Sequence, residues 1–465
     1  MSRTKLLSPL DLGFLAAETR ESMMHVGALL QFAPPPDAKP DFLYHLIEEI
    51  REDAIAVPPW NLKLRFPALL TSPMQGWVED SKFDVEYHVR RSALPTPGGE
   101  RELGILVSRL HSHSIDFHHP PWEVHFIEGL PNGRFAIYFK VHHSLVDGYT
   151  GIKLLARSLS SDPDERDTPI FFARGDRSER REAPKGDVPT LDSLFARAKL
   201  EFSGARAAMR AVMGVARAST HGDENLIAPL RAPCSVINTP VGRARRFATQ
   251  QFEVERMRNV ARALDGTLND LVLALCATAL RRLLLEQDAL PSEAMTAMLP
   301  VNVRPKDDPG GGNAVGAVLA TLATDVDDPV ERFKAIVAST KRAKQQLSGL
   351  SQNGILQFSA MMLAPMLLSQ PWGAAGRVRP AFNLVVSNVP GPRDTLYFRG
   401  YALDAYYPLS IPFHGYGLNI TVVTYRDTLN FGFTGDRDAL PHLQRLAVYS
   451  REALLELEAR AYQGS

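Results

Sequence analysis

Cysteine is nearly absent from this chain: Cys234 and Cys276 are the only two in 465 residues. That excludes a disulfide framework and a cysteine-built zinc site, and it fits a reducing, cytoplasmic setting. Net charge is missing as well, because 52 Lys and Arg balance 52 Asp and Glu. The balance gives no general attraction to nucleic acid, so none is expected as a partner. No uninterrupted apolar run reaches the roughly 18 to 20 residues of a spanning helix. The opening residues, Met1-Ser2-Arg3-Thr4-Lys5-Leu6-Leu7-Ser8-Pro9, lack the apolar core of a signal peptide. Gly-x-Ser-x-Gly, the nucleophile elbow of serine hydrolases, does not occur. A phosphate loop is also missing, since the run Gly310-Gly311-Gly312 has no following lysine.

What is present is an ordinary globular composition, 45% hydrophobic and 22% charged, long enough for two or three domains. Its chemical focus is Phe139-Lys140-Val141-His142-His143-Ser144-Leu145-Val146-Asp147-Gly148. The preceding Arg134–Val141 alternates and is rich in β-formers, which predicts a buried strand. Tyr149–Ala156 has apolar residues at helical spacing. The two histidines therefore stand where a strand ends, fixed by a scaffold yet open to a cleft. Asp147 and Gly148 make the turn that follows.

An imidazole near neutral pH can take the proton of an attacking alcohol. One ring nitrogen must then face the cleft while the other is held by a backbone carbonyl. Adjacent residues on an extended segment point to opposite faces, so His142 and His143 do not chelate a metal together. Only one of them is expected to face substrate. Asp147 is read as structural, paired with a basic side chain for which Arg304 is a candidate. A second pair, His118-His119, precedes two prolines and lacks the Asp-Gly turn, and reads as a solvated loop. His25 reads as a strand-start residue satisfied by a backbone carbonyl.

Elsewhere, periodicity predicts helices over Asp41–Asp53, Glu100–His113, Val254–Leu264, Leu271–Glu286, Pro329–Leu347 and Leu440–Tyr462. Strands are expected at Glu123–Glu128, Phe247–Phe252, Ala294–Val303, Ala314–Thr324, Phe382–Val389, Ala402–Tyr407, Leu418–Tyr425 and Thr428–Thr434. Pro131-Asn132-Gly133 predicts a hairpin turn ahead of the motif strand. The implied order is an N-terminal domain over 1–160, a charged linker and connecting amphipathic helix over 161–236, and a C-terminal domain over 237–465. Leu191–Arg217 is basic and amphipathic, which suits either an anionic membrane surface or an inter-domain contact. Ile355–Trp372 is apolar and methionine-rich, which suits a long-chain pocket, a lipid contact or a plain core helix.

The segment from His142 to Gly148 resembles the His-His-x-x-x-Asp-Gly signature of the CoA-dependent acyltransferase superfamily. Several further segments resemble the bacterial wax ester synthase/diacylglycerol acyltransferases: Pro9-Leu10-Asp11 with Phe14-Leu15, Glu18 and Met24-His25-Val26-Gly27; Pro121-Trp122-Glu123; Leu268-Asn269-Asp270; Pro300–Arg304; and Ser387-Asn388-Val389-Pro390-Gly391-Pro392. Pro121 stands where that family usually carries leucine. The resemblance runs from about residue 9 to 435.

It implies an α/β fold of two chloramphenicol-acetyltransferase-like domains, each a mixed sheet flanked by helices, with an active-site channel at their interface. It also implies acyl transfer from acyl-CoA, a co-substrate, to a long-chain alcohol or diacylglycerol, with neither cofactor nor metal. By the same resemblance His143 is the general base, His142 supports the loop, and Gly148 belongs to the turn. Asn269 and Asp270 would flank the site, Asn269 as a candidate amide donor to the oxyanion. Arg304, Ser387 and Asn388 join them as site-forming candidates. The expected location is cytoplasmic, with peripheral contact at a membrane or lipid inclusion left open. Two other readings also stay open: a condensation-type enzyme using carrier-bound acyl groups, and a non-catalytic lipid-inclusion protein.

Overall fold

The structure is a computed structural model that describes residues 5–7, 9–53, 55–72, 74–146, 151, 154–173, 231–302, 315–348, 355 and 379–462. In chain order it begins with β1 (Lys5–Leu6), α1 (Pro9–Ala17), β2 (His25–Ala33), α2 (Phe42–Asp53), β3 (Leu62–Leu64) and β4 (Gly76–Glu79). There follow α3 (Val85–His88), β5 (Val89–Ala93), α4 (Glu100–His111), β6 (Trp122–Glu128) and β7 (Phe135–His142). The later part holds β8 (Arg245–Glu253), α5 (Val254–Ala263), α6 (Leu268–Leu285), β9 (Thr296–Asn302), β10 (Val315–Thr321) and α7 (Pro329–Ser348). It closes with β11 (Leu384–Val389), β12 (Tyr397–Phe398), β13 (Tyr401–Leu409), β14 (Leu418–Tyr425), β15 (Thr428–Asp436) and α8 (Arg445–Tyr462).

These elements group into two compact units that interleave along the chain. The first comprises Met1–Asp176, Val241–Arg256 and Asn388–Ala447; the second comprises Arg177–Pro240, Met257–Ser387 and Val448–Ser465. Sequence periodicity locates β13 but not its partner. Its register, Tyr407 beside Leu29 and Leu409 beside Gly27, puts it next to β2 in the first unit.

The main sheet of the first unit has the order β12-β13-β2-β7-β6-β5, and a small sheet has the order β1-β4-β3. Strand β7 lies near the middle because both its faces are buried. Phe135, Ile137, Phe139 and Val141 enter a core with Trp122, Val124 and Phe126. Ala136 and Tyr138 enter a second core against Leu103, Leu106 and Val107 of α4. Each aromatic or branched side chain buried this way contributes about 1.5–3 kcal/mol against the entropy of ordering the chain. The hairpin between β6 and β7 turns through Asn132 (φ 62°) and Gly133 (φ 69°), the two residue types that accept a left-handed backbone most readily.

In the second unit β10 runs antiparallel to β9, and β11 runs parallel to it at Leu384 and Val385. Helix α6 is buried nearly all round, as its unbroken run of Leu271, Val272, Leu273, Ala274 and Leu275 demands. Among the described residues no helix is long and apolar enough to cross a membrane.

The charged stretch read as an external linker departs from that reading at its apolar end. Ile170, Phe171 and Phe172 are buried in the core that holds Trp60 and Trp122, and the Phe172 carbonyl accepts from Val57 N at 3.0 Å. Burial of three large apolar side chains outweighs the polarity of their neighbours. Leu191–Arg217 lies outside the described residues, as does Ile355–Trp372 apart from Ile355.

Candidate active site

The end of β7 delivers the motif. His25 of β2 stands opposite His142, and Trp122 of β6 stands opposite Val141. Both flanking strands then hold the backbone beyond the sheet. His142 N–H donates to the Pro121 carbonyl at 2.9 Å, and His143 N–H donates to the Met24 carbonyl at 2.9 Å. The two rings diverge, as neighbouring residues on extended chain must.

The His142 ring is buried, 1% exposed. Its Nδ1 accepts from the Ser144 N–H at 3.2 Å and lies 2.6 Å from the Ser144 hydroxyl. An acceptor at Nδ1 places the ring proton on Nε2. That atom faces Glu18 Oε2 at 3.4 Å, and the Phe117 ring meets the imidazole edge-on with centroids 5.0 Å apart. His143 is half-buried and stacks on Phe14 of α1, centroids 4.1 Å apart and planes 27° from parallel. Of the pair, His143 is the one that reaches open space.

Glu18 also accepts from Met24 N–H, so one carboxylate faces His142 and fixes the residue whose carbonyl holds His143. The intervening turn is tied by Thr19 Oγ1, which accepts from Ser22 N at 2.8 Å. Its far side is held by Arg245, whose guanidinium donates to the Glu21 and Pro412 carbonyls and lies 3.7 Å from Asp436. Burial pulls Arg245 down to about 10, which leaves it a cation at neutral pH.

Beneath the histidine pair lies a buried polar layer on the α4-facing side of the sheet. His25 Nε2 bonds the His111 carbonyl at 3.0 Å, the backbone partner expected for it. His111 Nδ1 meets the Tyr138 hydroxyl at 2.9 Å, and its Nε2 meets the Ser410 carbonyl at 3.3 Å. Burial, reinforced by the Lys140 charge, pushes His111 down to about 3. Burial also takes His25 well below the ordinary imidazole range. The Lys140 ammonium donates to the His113 and Leu110 carbonyls at 3.0 and 3.3 Å and lies 3.4 Å from Glu123. Burial opposes the Glu123 charge, but His125 and Lys140 prevail and hold the carboxyl down at about 2.

The remaining sequence-derived candidates lie elsewhere in the chain. Asp147, Gly148 and Arg304 lie outside the described residues. Asp270 is occupied in capping α6: its Oδ2 accepts from Thr267 N and Oγ1 at 2.9 and 2.6 Å, and its Oδ1 accepts from Thr340 Oγ1 at 2.6 Å. A buried carboxylate spent this way has a structural task. Asn269 is half-buried in the first turn of α6, and Ser387 and Asn388 are half-buried in β11. No group of three or more His, Cys, Asp or Glu among the described residues is placed to hold a metal ion.

Sequence reasoning assigned no role to Glu18 or Phe14. Both precede β2, and only the pairing of β2 with β7 brings them to the histidines. Ser144, His142 and Glu18 form a serine–histidine–carboxylate row, yet Ser144 is 3% exposed and its hydroxyl points back into its own turn. Its place in the row suits orienting an imidazole rather than attacking a substrate.

The descriptions "wax ester synthase/diacylglycerol acyltransferase catalytic domain" and "WS/DGAT C-terminal domain" match residues 7–272 and 311–458. A Mycobacterium tuberculosis protein assigned as a diacylglycerol O-acyltransferase is 48% identical over 99% of this chain and 98% of its own. The O-acyltransferase WSD of Acinetobacter baylyi is 38% identical over 98% of this chain and 97% of its own. The solved wax ester synthase/diacylglycerol acyltransferase of Marinobacter aquaeolei superposes with a TM-score of 0.77 at 36% identity, covering 98% of this chain and 99% of that one.

Proposed function

Because the chain belongs to the wax ester synthase/diacylglycerol acyltransferase family, with its two-domain α/β fold and acyltransferase activity, we propose that it moves a fatty acyl group from acyl-CoA to a long-chain alcohol or diacylglycerol. The products are a wax ester or a triacylglycerol. The observation that carries this reading is His143 at the end of β7, its backbone N–H held by the Met24 carbonyl and its half-buried ring stacked on Phe14.

His143 takes the proton of the acceptor hydroxyl as its oxygen attacks the thioester carbon. The tetrahedral intermediate collapses by breaking the C–S bond, and the proton passes from the imidazolium to the departing CoA sulfur. Base assistance contributes about 10²- to 10⁴-fold, and holding both substrates at one base contributes more through proximity. The thioester is already activated, so the reading needs no metal or prosthetic group. His142, held by Ser144 and Glu18, positions the turn. Asn269 remains the candidate donor to the oxyanion, and Asp147, with Arg304 as its candidate partner, the brace of the turn. The acceptor's insolubility favours peripheral association with a membrane or lipid inclusion.

Purified protein given palmitoyl-CoA and a panel of alcohols and diacylglycerols tests this by thiol release. Release that depends on acceptor is expected. Release only with a carrier-bound acyl group, or none with any acceptor, would overturn it.

A further inference from the structure

The loop between β3 and β4 is held rigid from within yet presents apolar side chains outward. Gln75 is 2% exposed, and its amide braces the loop from the inside. Its Oε1 accepts from Phe66 N at 3.0 Å and from Gly76 N at 3.2 Å. Its Nε2 donates to the Phe66 and Leu69 carbonyls at 2.9 and 3.1 Å. Leu69 and Met74, by contrast, stand 64% and 67% exposed. A buried amide with four bonds ties down the described residues of a loop whose two largest outward side chains stand exposed.

The inner side of the same loop reaches the histidine turn. Leu70 packs on the Leu15, Leu64 and Trp77 cluster, which Phe117 and Leu145 also join. Phe117 is the ring that meets His142. The sequence from Phe66 to Val78 has no charged residue, and the exposed Arg65 at its start lies over the Phe66 ring at 5.1 Å.

We propose that this loop docks the protein on a phospholipid surface, with Leu69 and Met74 inserted among the acyl chains and Arg65 at the headgroups. The proposal rests on the acyl-transfer reading, because an acceptor dissolved in lipid must reach the histidine turn from a lipid phase. Two side chains on a narrow loop offer far less than the roughly 800 Å² per partner of a stable protein interface. Insertion into lipid needs no such area, since each buried apolar side chain contributes separately. An uncharged tip with a cation at its base suits an anionic bilayer. Because Gln75 prearranges the loop, little ordering cost opposes insertion.

Flotation with vesicles of equal parts phosphatidylcholine and phosphatidylglycerol tests the proposal on the full chain. The double variant Leu69→Ser, Met74→Ser should weaken vesicle binding at least about tenfold. Its CoA release with 1-butanol, an acceptor that needs no lipid phase, should stay within about twofold. The single variant Leu69→Trp should bind at least as well, with the new indole's emission quenched by brominated lipid. Unchanged flotation of the double variant, or indole emission that brominated lipid leaves unquenched, would overturn the docking. So would a vesicle-independent dimer that the double variant dissolves, which would make the occupant a second copy of the chain. Vesicle binding lost in the double variant, with no CoA release by the parent from any acceptor, would support the docking and sink the acyl-transfer reading instead.

Discussion

Two pairs of adjacent histidines lie 24 residues apart in this chain, and the fold treats them differently. His118 is 67% exposed at its side chain and bonds Asp116, two residues away, at 2.9 Å. His119 stacks on Tyr87 with centroids 3.9 Å apart. That pair is held by a bond within its own loop and by one ring of α3. His142 and His143 instead donate their backbone N–H groups to the Pro121 and Met24 carbonyls, and beside them stand the Glu18 carboxylate and the Phe14 ring. The difference is that the second pair ends a central strand flanked on both sides. Adjacency of two imidazoles carries no function by itself; on the proposed mechanism, placement by the sheet does.

The contrast is open to attack in order of expected effect. The largest should come from His143→Ala, which removes the proposed base and is expected to lower CoA release about 10²- to 10⁴-fold, with His118→Ala within about twofold of the parent. Comparable losses in both variants would erase the distinction.

Next, Glu18→Gln keeps an acceptor for Met24 N–H but removes the charge beside His142. Charge-assisted contacts of about 1.5–3 kcal/mol convert to about 10- to 100-fold. The loss is expected in kcat with KM little changed, because Glu18 acts through the histidines. A loss confined to KM would make it a substrate-binding residue.

The third effect is on stability. His111 titrates near 6.5 in the unfolded chain but is held at about 3 in the fold, so the unfolded state binds the extra proton between those values. Its contribution is full above pH 6.5 and is lost as the pH falls towards 3. Glu123, about 2 in the fold against about 4.5 unfolded, adds a loss below pH 4.5. The melting temperature should therefore drop steeply on acidification, and His111→Gln should flatten that slope while His118→Ala leaves it unchanged. A parallel slope in His111→Gln would place the acid sensitivity elsewhere.

The smallest effect is expected from Ser144→Ala. One hydroxyl bond to His142 is about 0.5–1.5 kcal/mol, or a few-fold in rate, and the backbone Ser144 N–H remains to fix the ring. A loss as deep as that of His143→Ala would turn Ser144 into a reacting group.

Much of the scaffold was legible in the sequence because local periodicity encodes it. The alternation of Phe135, Ile137, Phe139 and Val141 predicted β7, and the step from His142 to His143 predicted one buried and one reachable ring. The unbroken apolar run of α6 predicted its burial. What escaped was non-local. Nothing in Ala402–Tyr407 says that it pairs with β2, since a buried strand reads the same beside any partner. Ile170–Phe172 were hidden by the charges around them. Glu18 could have been found only through the β2–β7 register, and Asp270, grouped with the site by resemblance, is spent in a capping box that Thr267 three residues earlier already spelled out.

On the proposed mechanism the acyl group passes directly from thioester to acceptor at His143, although a buried serine lies against His142. Intact-protein mass after incubation with palmitoyl-CoA alone tests it. An unmodified mass is expected, with CoA release beginning only when an alcohol is added. A stoichiometric palmitoyl adduct on Ser144, formed without acceptor and discharged by it, would contradict direct transfer.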